Sequence, residues 1–401
     1  MTDDAPLLLD ATRLIWRRWK GRLPTGIDRV CLAYLRHFGP NAQAVIQYGG
    51  LRRILDTQAS QELFALLEEP GEAFKAHLIK GAIRSMSHVN GRGRGRLYLN
   101  VGHTGLHSSG LRKWVRNASV RPIYMVHDLI PITNPEFCRA GEAAKHRERI
   151  RTVLSTAAGV IGNSQTTLDE LTAFAVTEGL PRPPGLAAWL GTDPLRLPPK
   201  LETGASPRFV TVGTIEARKN HVLLLQIWAR LINRLGAQAP QLLIIGQRGW
   251  EADEVFEFLD QNEKLRGHVV ELSHCSDEEL AGHLASARAL LFPSRAEGYG
   301  LPLIEALGLG VPVIASDLPV FREIGGDMPT YLDPLDSAGW EAAILDYSNA
   351  SSPTRDERTQ RNRSFRLPDW DGHFAAVEHW LGVLDRTAKA GQHGLDQRLH
   401  C

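Results

Sequence analysis

At 401 residues the chain is too long for one ordinary domain and suits two. Hydrophobic residues at 43% and charged residues at 23% describe a folding chain rather than a disordered one. With 46 Lys plus Arg against 45 Asp plus Glu, the balance excludes a dedicated nucleic-acid binder.

Cys31, Cys138, Cys275 and Cys401 stand far apart without a CxxC pair, which points to reduced thiols rather than a zinc ribbon or redox motif. Asp3 and Asp4 precede a short apolar run, so no signal peptide is expected, and no stretch reaches the roughly 18 apolar residues of a spanning helix. The expectation is a cytoplasmic protein whose membrane contact, if it has one, is peripheral.

Short apolar runs bounded by turn residues predict strands at 6–9, 44–48, 96–101, 122–126 and 159–162. A second series follows at 208–212, 241–245, 268–272, 289–293 and 312–315. Helical patterns alternate with them, for example over 221–235, 276–287 and 302–309. Strand–helix alternation implies two parallel sheets covered on both faces, an α/β fold. Pro194, Pro198, Pro199 and Pro207 mark 194–207 as a linker between domains at 1–193 and 208–386. The last helix is a candidate to pack back on the first domain, and 387–401 reads as a frayed polar tail.

Ligands of open parallel sheets bind beyond the carboxyl ends of the strands, so the loops there are searched for chemistry. Leu23-Pro24-Thr25-Gly26-Ile27-Asp28 lies between the first strand and the first helix; Gly26 admits close backbone approach, and a helix start favours phosphate. Trp16 to Lys20, basic and aromatic, either seats at a membrane interface or packs beside the first loop, and the segment 80–96, with Lys80, Arg84, Arg92, Arg94 and Arg96, either touches anionic lipid or a lipid diphosphate or is a solvated loop. His103 and His107 have the spacing of a metal pair but no third ligand nearby in sequence, which favours acceptor contact or plain structure. Tyr124-Met-Val-His127-Asp128 runs a buried strand into a polar pair, and His127 is placed to meet sugar hydroxyls or to cap the turn.

In the second half, Val212-Gly213-Thr214-Ile-Glu216-Ala-Arg218-Lys219-Asn220 follows a strand and opens a helix, with Asn220 as its expected cap. Lys219 is a compact cation suited to a diphosphate, and Arg218 either adds a second cation or points to solvent. After the strand ending near Phe292 come Glu297-Gly298-Tyr299-Gly300-Leu301-Pro302 and then Glu305. Gly298 and Gly300 let the backbone turn, Pro302 suits a first helical turn, and the helix-start amides offer an anion site. Glu305 can accept from ribose hydroxyls.

Together these residues resemble the retaining GT-B glycosyltransferases of family 4, most strongly over 208–335 and more weakly over 120–175. The resemblance implies two doubly wound Rossmann-like domains facing across a cleft. It assigns Lys219 to the diphosphate, with Arg218 a substitute for a second cation, and Glu305 to the ribose. The amides of Gly298, Tyr299, Gly300 and Leu301, with Gly213 and Thr214, line the donor, and Glu297 meets the donor sugar. His127 and Gly26 act from the first domain. Thr214 stands where many members carry Arg. The implied activity is metal-independent hexose transfer, GDP-mannose first, from a nucleotide-diphosphate sugar to a glycan or lipid-linked acceptor, without a cofactor. A nucleotide-sugar epimerase and a non-catalytic subunit of a polysaccharide complex are the rival readings.

Overall fold

The computed structural model describes residues 6–21, 25–48, 50–69, 74–76, 78, 93–201 and 206–399, with side chains through residue 388. The chain divides into two units: Met1–Leu129 with Ala144–Leu190 and Trp370–Cys401, and Ile130–Ala143 with Gly191–Asp369.

The first unit is built on β1 (Leu7–Asp10), β2 (Ala42–Tyr48), β3 (Leu51–Ile54), β4 (Leu97–Asn100), β5 (Arg121–Val126), β6 (Gly159–Gly162) and β7 (Gly185–Ala187). Their order is β3-β2-β1-β4-β5-β6-β7, parallel except for the β2–β3 hairpin. Leu8, Tyr98, Leu99, Tyr124 and Met125 are essentially fully buried, as central strands covered on both faces require. β3 and β7 escape the sequence reading. β3 reads Leu-Arg-Arg-Ile, and its buried Arg52 is tolerated because Nε donates to Gln47 Oε1 at 2.9 Å. β7 is a three-residue edge strand after a proline-rich approach.

A helix at Thr12–Trp19 precedes the one at Gly26–Phe38, so the Gly26 stretch follows the first helix rather than the first strand. The long helix Trp370–Leu399 completes this unit, and its backbone stays helical through residues expected to fray. His37 stacks on Phe374 at 4.0 Å, Tyr34 Oη meets His373 Nε2 at 3.0 Å, and Arg121 pairs with Asp385 at 2.7 Å.

The second unit holds β8 (Arg208–Val212), β9 (Gln241–Ile245), β10 (Val269–Leu272), β11 (Ala289–Phe292), β12 (Val313–Ser316) and β13 (Thr330–Leu332), all parallel, in the order β10-β9-β8-β11-β12-β13. Trp228 and Trp340 are fully buried in its core. The chain visits this unit at Ile130–Ala143 and returns to it at Gly191. Thr192 N–H bonds Pro368 O at 3.0 Å, and Pro198 packs where a side chain on Gly282 would sit. The prolines break periodicity without freeing the segment from packing.

Candidate functional site

In the second unit the strand order reverses between β8 and β11, and the two loops leaving their carboxyl ends are therefore neighbours. That adjacency joins sequence motifs about eighty residues apart. The β8 loop carries Arg218 and Lys219 in a short helical turn, Ala217–Lys219. The β11 loop carries Glu297. Lys219 Nζ lies 2.5 Å from Glu297 Oε1, and Arg218 Nη1 lies 2.6 Å from Glu297 Oε2. Arg218 Nη2 also pairs with Glu216 Oε1 at 2.6 Å, and Ser294 Oγ donates to Glu297 Oε1 at 2.8 Å. Backbone seals the junction: Arg295 N–H donates to Arg218 O at 2.7 Å.

The Glu297 side chain is 7% exposed and that of Lys219 10%. Burial pushes the Glu297 carboxyl up, but Arg218 and Lys219 pull it further the other way, to about 2. Burial lowers the Lys219 ammonium, with Glu297 opposing, and burial raises the Glu216 carboxyl. Lys219 Nζ also lies 4.7 Å from the centre of the Phe292 ring. The outcome is two cations held rigidly on one carboxylate. Arg218 thus supplies a second cation beside Lys219 although position 214 is Thr.

Glycine makes the close approach possible. Gly213 has φ +139°, and a Cβ there would sit 3.2 Å from Lys219 Nζ. Of the two glycines in the β11 loop only Gly300, at φ +130°, needs the left-handed region; a Cβ there would press on Phe321 at 2.9 Å. Gly300 is the N-cap of the helix Leu301–Gly308, with Pro302 in its first turn and Glu305 buried on its second. Tyr299 is buried as well.

Asn220 holds the N-cap position of the helix His221–Leu235, but its side chain makes no cap hydrogen bond. It sits at φ +57° and spends its side-chain amide on Pro293 O at 3.1 Å and Pro334 O at 3.0 Å, tying down the β11 and β13 loops. Sequence reading gave Glu216 and Ser294 no role. Their signal is only their spacing, two residues before Arg218 and three before Glu297.

The first unit has its own reversal between β1 and β4. Asp10 ends β1 buried, accepting from Tyr98 Oη at 2.7 Å and Gln47 Nε2 at 2.6 Å; burial nonetheless raises its carboxyl. Arg13 Nε donates to Asp28 Oδ1 at 2.6 Å, and Thr25 with Asp28 forms a capping box at the helix whose first residue is the exposed Gly26. His127, at the end of β5, is buried and donates from Nε2 to Val101 O at 2.7 Å, so the neutral ring keeps Nδ1 as its acceptor. Burial lowers its basicity, which favours that neutral form. Val101 O is thus one group that orients the ring. His103 keeps company with His127, at 5.0 Å between rings, and with His146 at 6.0 Å; His107 is exposed. Among the described residues no group of three His, Cys, Asp or Glu has the geometry to hold a metal ion. Most of the basic 80–96 segment lies outside the described residues.

Residues 197–361 match the profile of the glycosyl transferases group 1 family. This segment belongs to the group 1 glycosyl transferases. It contains every residue of the Lys219–Glu297 cluster. Over 241 residues the chain is 29% identical to the serotype-specific mannosyltransferase WbdA of Escherichia coli, covering 54% of this chain and 28% of WbdA. Over 134 residues it is 37% identical to O-antigen chain mannosyltransferase B of Escherichia coli, covering 33% and 35% respectively. The matches thus span about a third of the length of these relatives. Anabaena Alr3699/HepE in complex with UDP-glucose superimposes at a TM-score of 0.65 with 15% identity, over 94% of this chain and 99% of that one. That likeness shows a shared fold, the GT-B pair of Rossmann-like α/β domains, in which the group 1 segment supplies the second.

Proposed function

We propose that the chain is a retaining, metal-independent hexosyltransferase acting on a nucleotide-diphosphate sugar, GDP-mannose first, and delivering the hexose to a glycan or lipid-linked saccharide of a cell-surface polysaccharide. The observation that carries this reading is the pair Arg218 and Lys219 fixed on Glu297 at the strand-order reversal, beside the Gly300 helix start. Mannose and a polysaccharide acceptor are supported by the names of the relatives, both mannosyltransferases and one assigned to O-antigen chains.

In this reading Lys219, Arg218 and the amides from Gly298 to Leu301 receive the diphosphate, with Gly213 and Thr214 lining it. Glu305 takes the ribose hydroxyls, Glu297 meets the hexose, and Gly26 offers a helix-start amide to phosphate. His127 Nδ1 accepts from a hexose hydroxyl. The anomeric C–O bond to phosphate breaks while the acceptor oxygen bonds the same face of the carbon, and the acceptor proton passes to the departing phosphate oxygen. The two cations, already oriented, stabilise the charge growing on that oxygen without reorganising.

The test is transfer from a panel of GDP-, UDP-, ADP- and dTDP-sugars after chelation, with the product's anomeric configuration read by NMR. Retained configuration and undiminished rate in chelator support the reading. Inverted product, or full donor turnover by the Lys219→Ala and Glu305→Ala variants, overturns it.

A further inference from the structure

The donor chemistry leaves one surface of the first unit without a role. On the helix Thr12–Trp19, Trp16 is 39% exposed and stacks on Tyr48, rings 6.0 Å apart. Tyr48, 73% exposed, is paired across the β2–β3 hairpin with Leu51, 63% exposed, so both side chains leave the same face of the sheet. Arg53, two residues on, shares that face and is exposed. Lys20 lies 5.9 Å from the Trp16 ring, and Lys75 lies 5.5 Å from the Trp19 ring. Among the described residues none of Lys20, Arg53 and Lys75 forms an ion pair, and the stretch 12–20 contains no acid. Arg13 and Arg17 of the same helix both reach Asp28, which anchors the helix to the unit.

We propose that this aromatic patch, rimmed by cations, docks the chain on the anionic headgroups of a membrane surface. The chemistry selects that occupant. Tryptophan and tyrosine rings favour the headgroup level, where an apolar body and a polar edge are both accommodated. Lysine and arginine beside them reach lipid phosphates while their stems stay on the apolar side. No helix among the described residues is long and apolar enough to cross a membrane. The proposal stands on this surface alone and is independent of the donor site.

The experiment is co-sedimentation of the full chain with vesicles of phosphatidylglycerol or of phosphatidylcholine. Binding to the first, weakened by salt and absent with the second, is expected. The Lys20→Gln/Arg53→Gln variant is expected to lower the partition coefficient about thirtyfold, at roughly a fivefold loss per cation removed near the surface. Tyr48→Ser/Leu51→Ser is expected to weaken it as well. Both variants keep the parent melting temperature and its shift with nucleotide sugar, which separates this surface from the donor reading. Equal binding to the two lipids overturns the proposal. So does undiminished binding by Lys20→Gln/Arg53→Gln, binding lost only on Arg84→Gln/Arg92→Gln, or a patch-dependent dimer in light scattering.

Discussion

Glu297 holds two cations in a place where any unpaired charge is costly. Its replacement by Gln leaves Lys219 buried without its counter-charge, and removing one partner of a buried pair costs about 3–5 kcal/mol. Urea denaturation of Glu297→Gln is expected to show a loss of that order. If the cations serve a diphosphate, added nucleoside diphosphate raises the melting temperature of Glu297→Gln more than that of the parent, because it returns the missing negative charge. Acid has a definite sign here. Glu297 titrates near 2 when folded, against an ordinary value of 4.5, so its contribution is complete above about 4.5 and is lost as the pH falls towards 2. His221, buried behind Lys219 with neither ring nitrogen partnered, is lowered by burial to about 3. The unfolded chain protonates it near 6.5, so its share of stability is lost between about 6.5 and 3 as acid is added. His221→Leu is expected to flatten the stability–pH curve over that window.

The element scale explains which parts of the site could be read from sequence. Most of the ten strands legible in the sequence are buried apolar runs, although β10 is a half-exposed edge strand whose Val-Val pair still reads as β. The other three, β3, β7 and β13, are short edge strands whose character comes from their neighbours. The chemical loops were legible because a strand must end before a ligand can be met, and Gly300, Lys219 and Glu305 sit just past such ends. The ion pairs were not legible, since nothing in the linear chain says that β8 and β11 are adjacent. Asn220 stands at the expected N-cap position, but its amide donates to tertiary carbonyls that no local pattern announces. The crossing of loops also sets a strict demand at Gly246. A Cβ there would run into the Gly213 carbonyl, which is backbone and cannot swing aside. Gly246→Ala is expected to cost about 1–3 kcal/mol by overpacking and to weaken donor affinity through the displaced Lys219 loop. Calorimetry with the preferred nucleotide sugar reads both.

On the scale of the whole molecule, the helix Trp370–Leu399 decides the integrity of the first unit. Phe374 is 4% exposed and is packed by His37, Phe38, Tyr34 and Trp370. Phe374→Ala is expected to remove about 3–5 kcal/mol, measured by denaturant unfolding of the full chain. Gly159 is held to hydrogen by the same helix, since a Cβ there would meet Trp380 at 2.6 Å. Composition reports what a segment lacks, and for the part of this helix that carries Phe374 and Trp380 packing supplies the rest.

That returning helix has a consequence for synthesis on the ribosome. The whole of Gly191–Asp369 emerges before the piece that closes the sheet begun at Leu7. Domains ordinarily fold in the order of their emergence, yet here the unit begun first is completed last. Nascent chains stalled with Asp369 just outside the exit tunnel are expected to present a protease-resistant second unit and a cleavable first one, with protection of the first arriving only as Trp370–Leu399 is released.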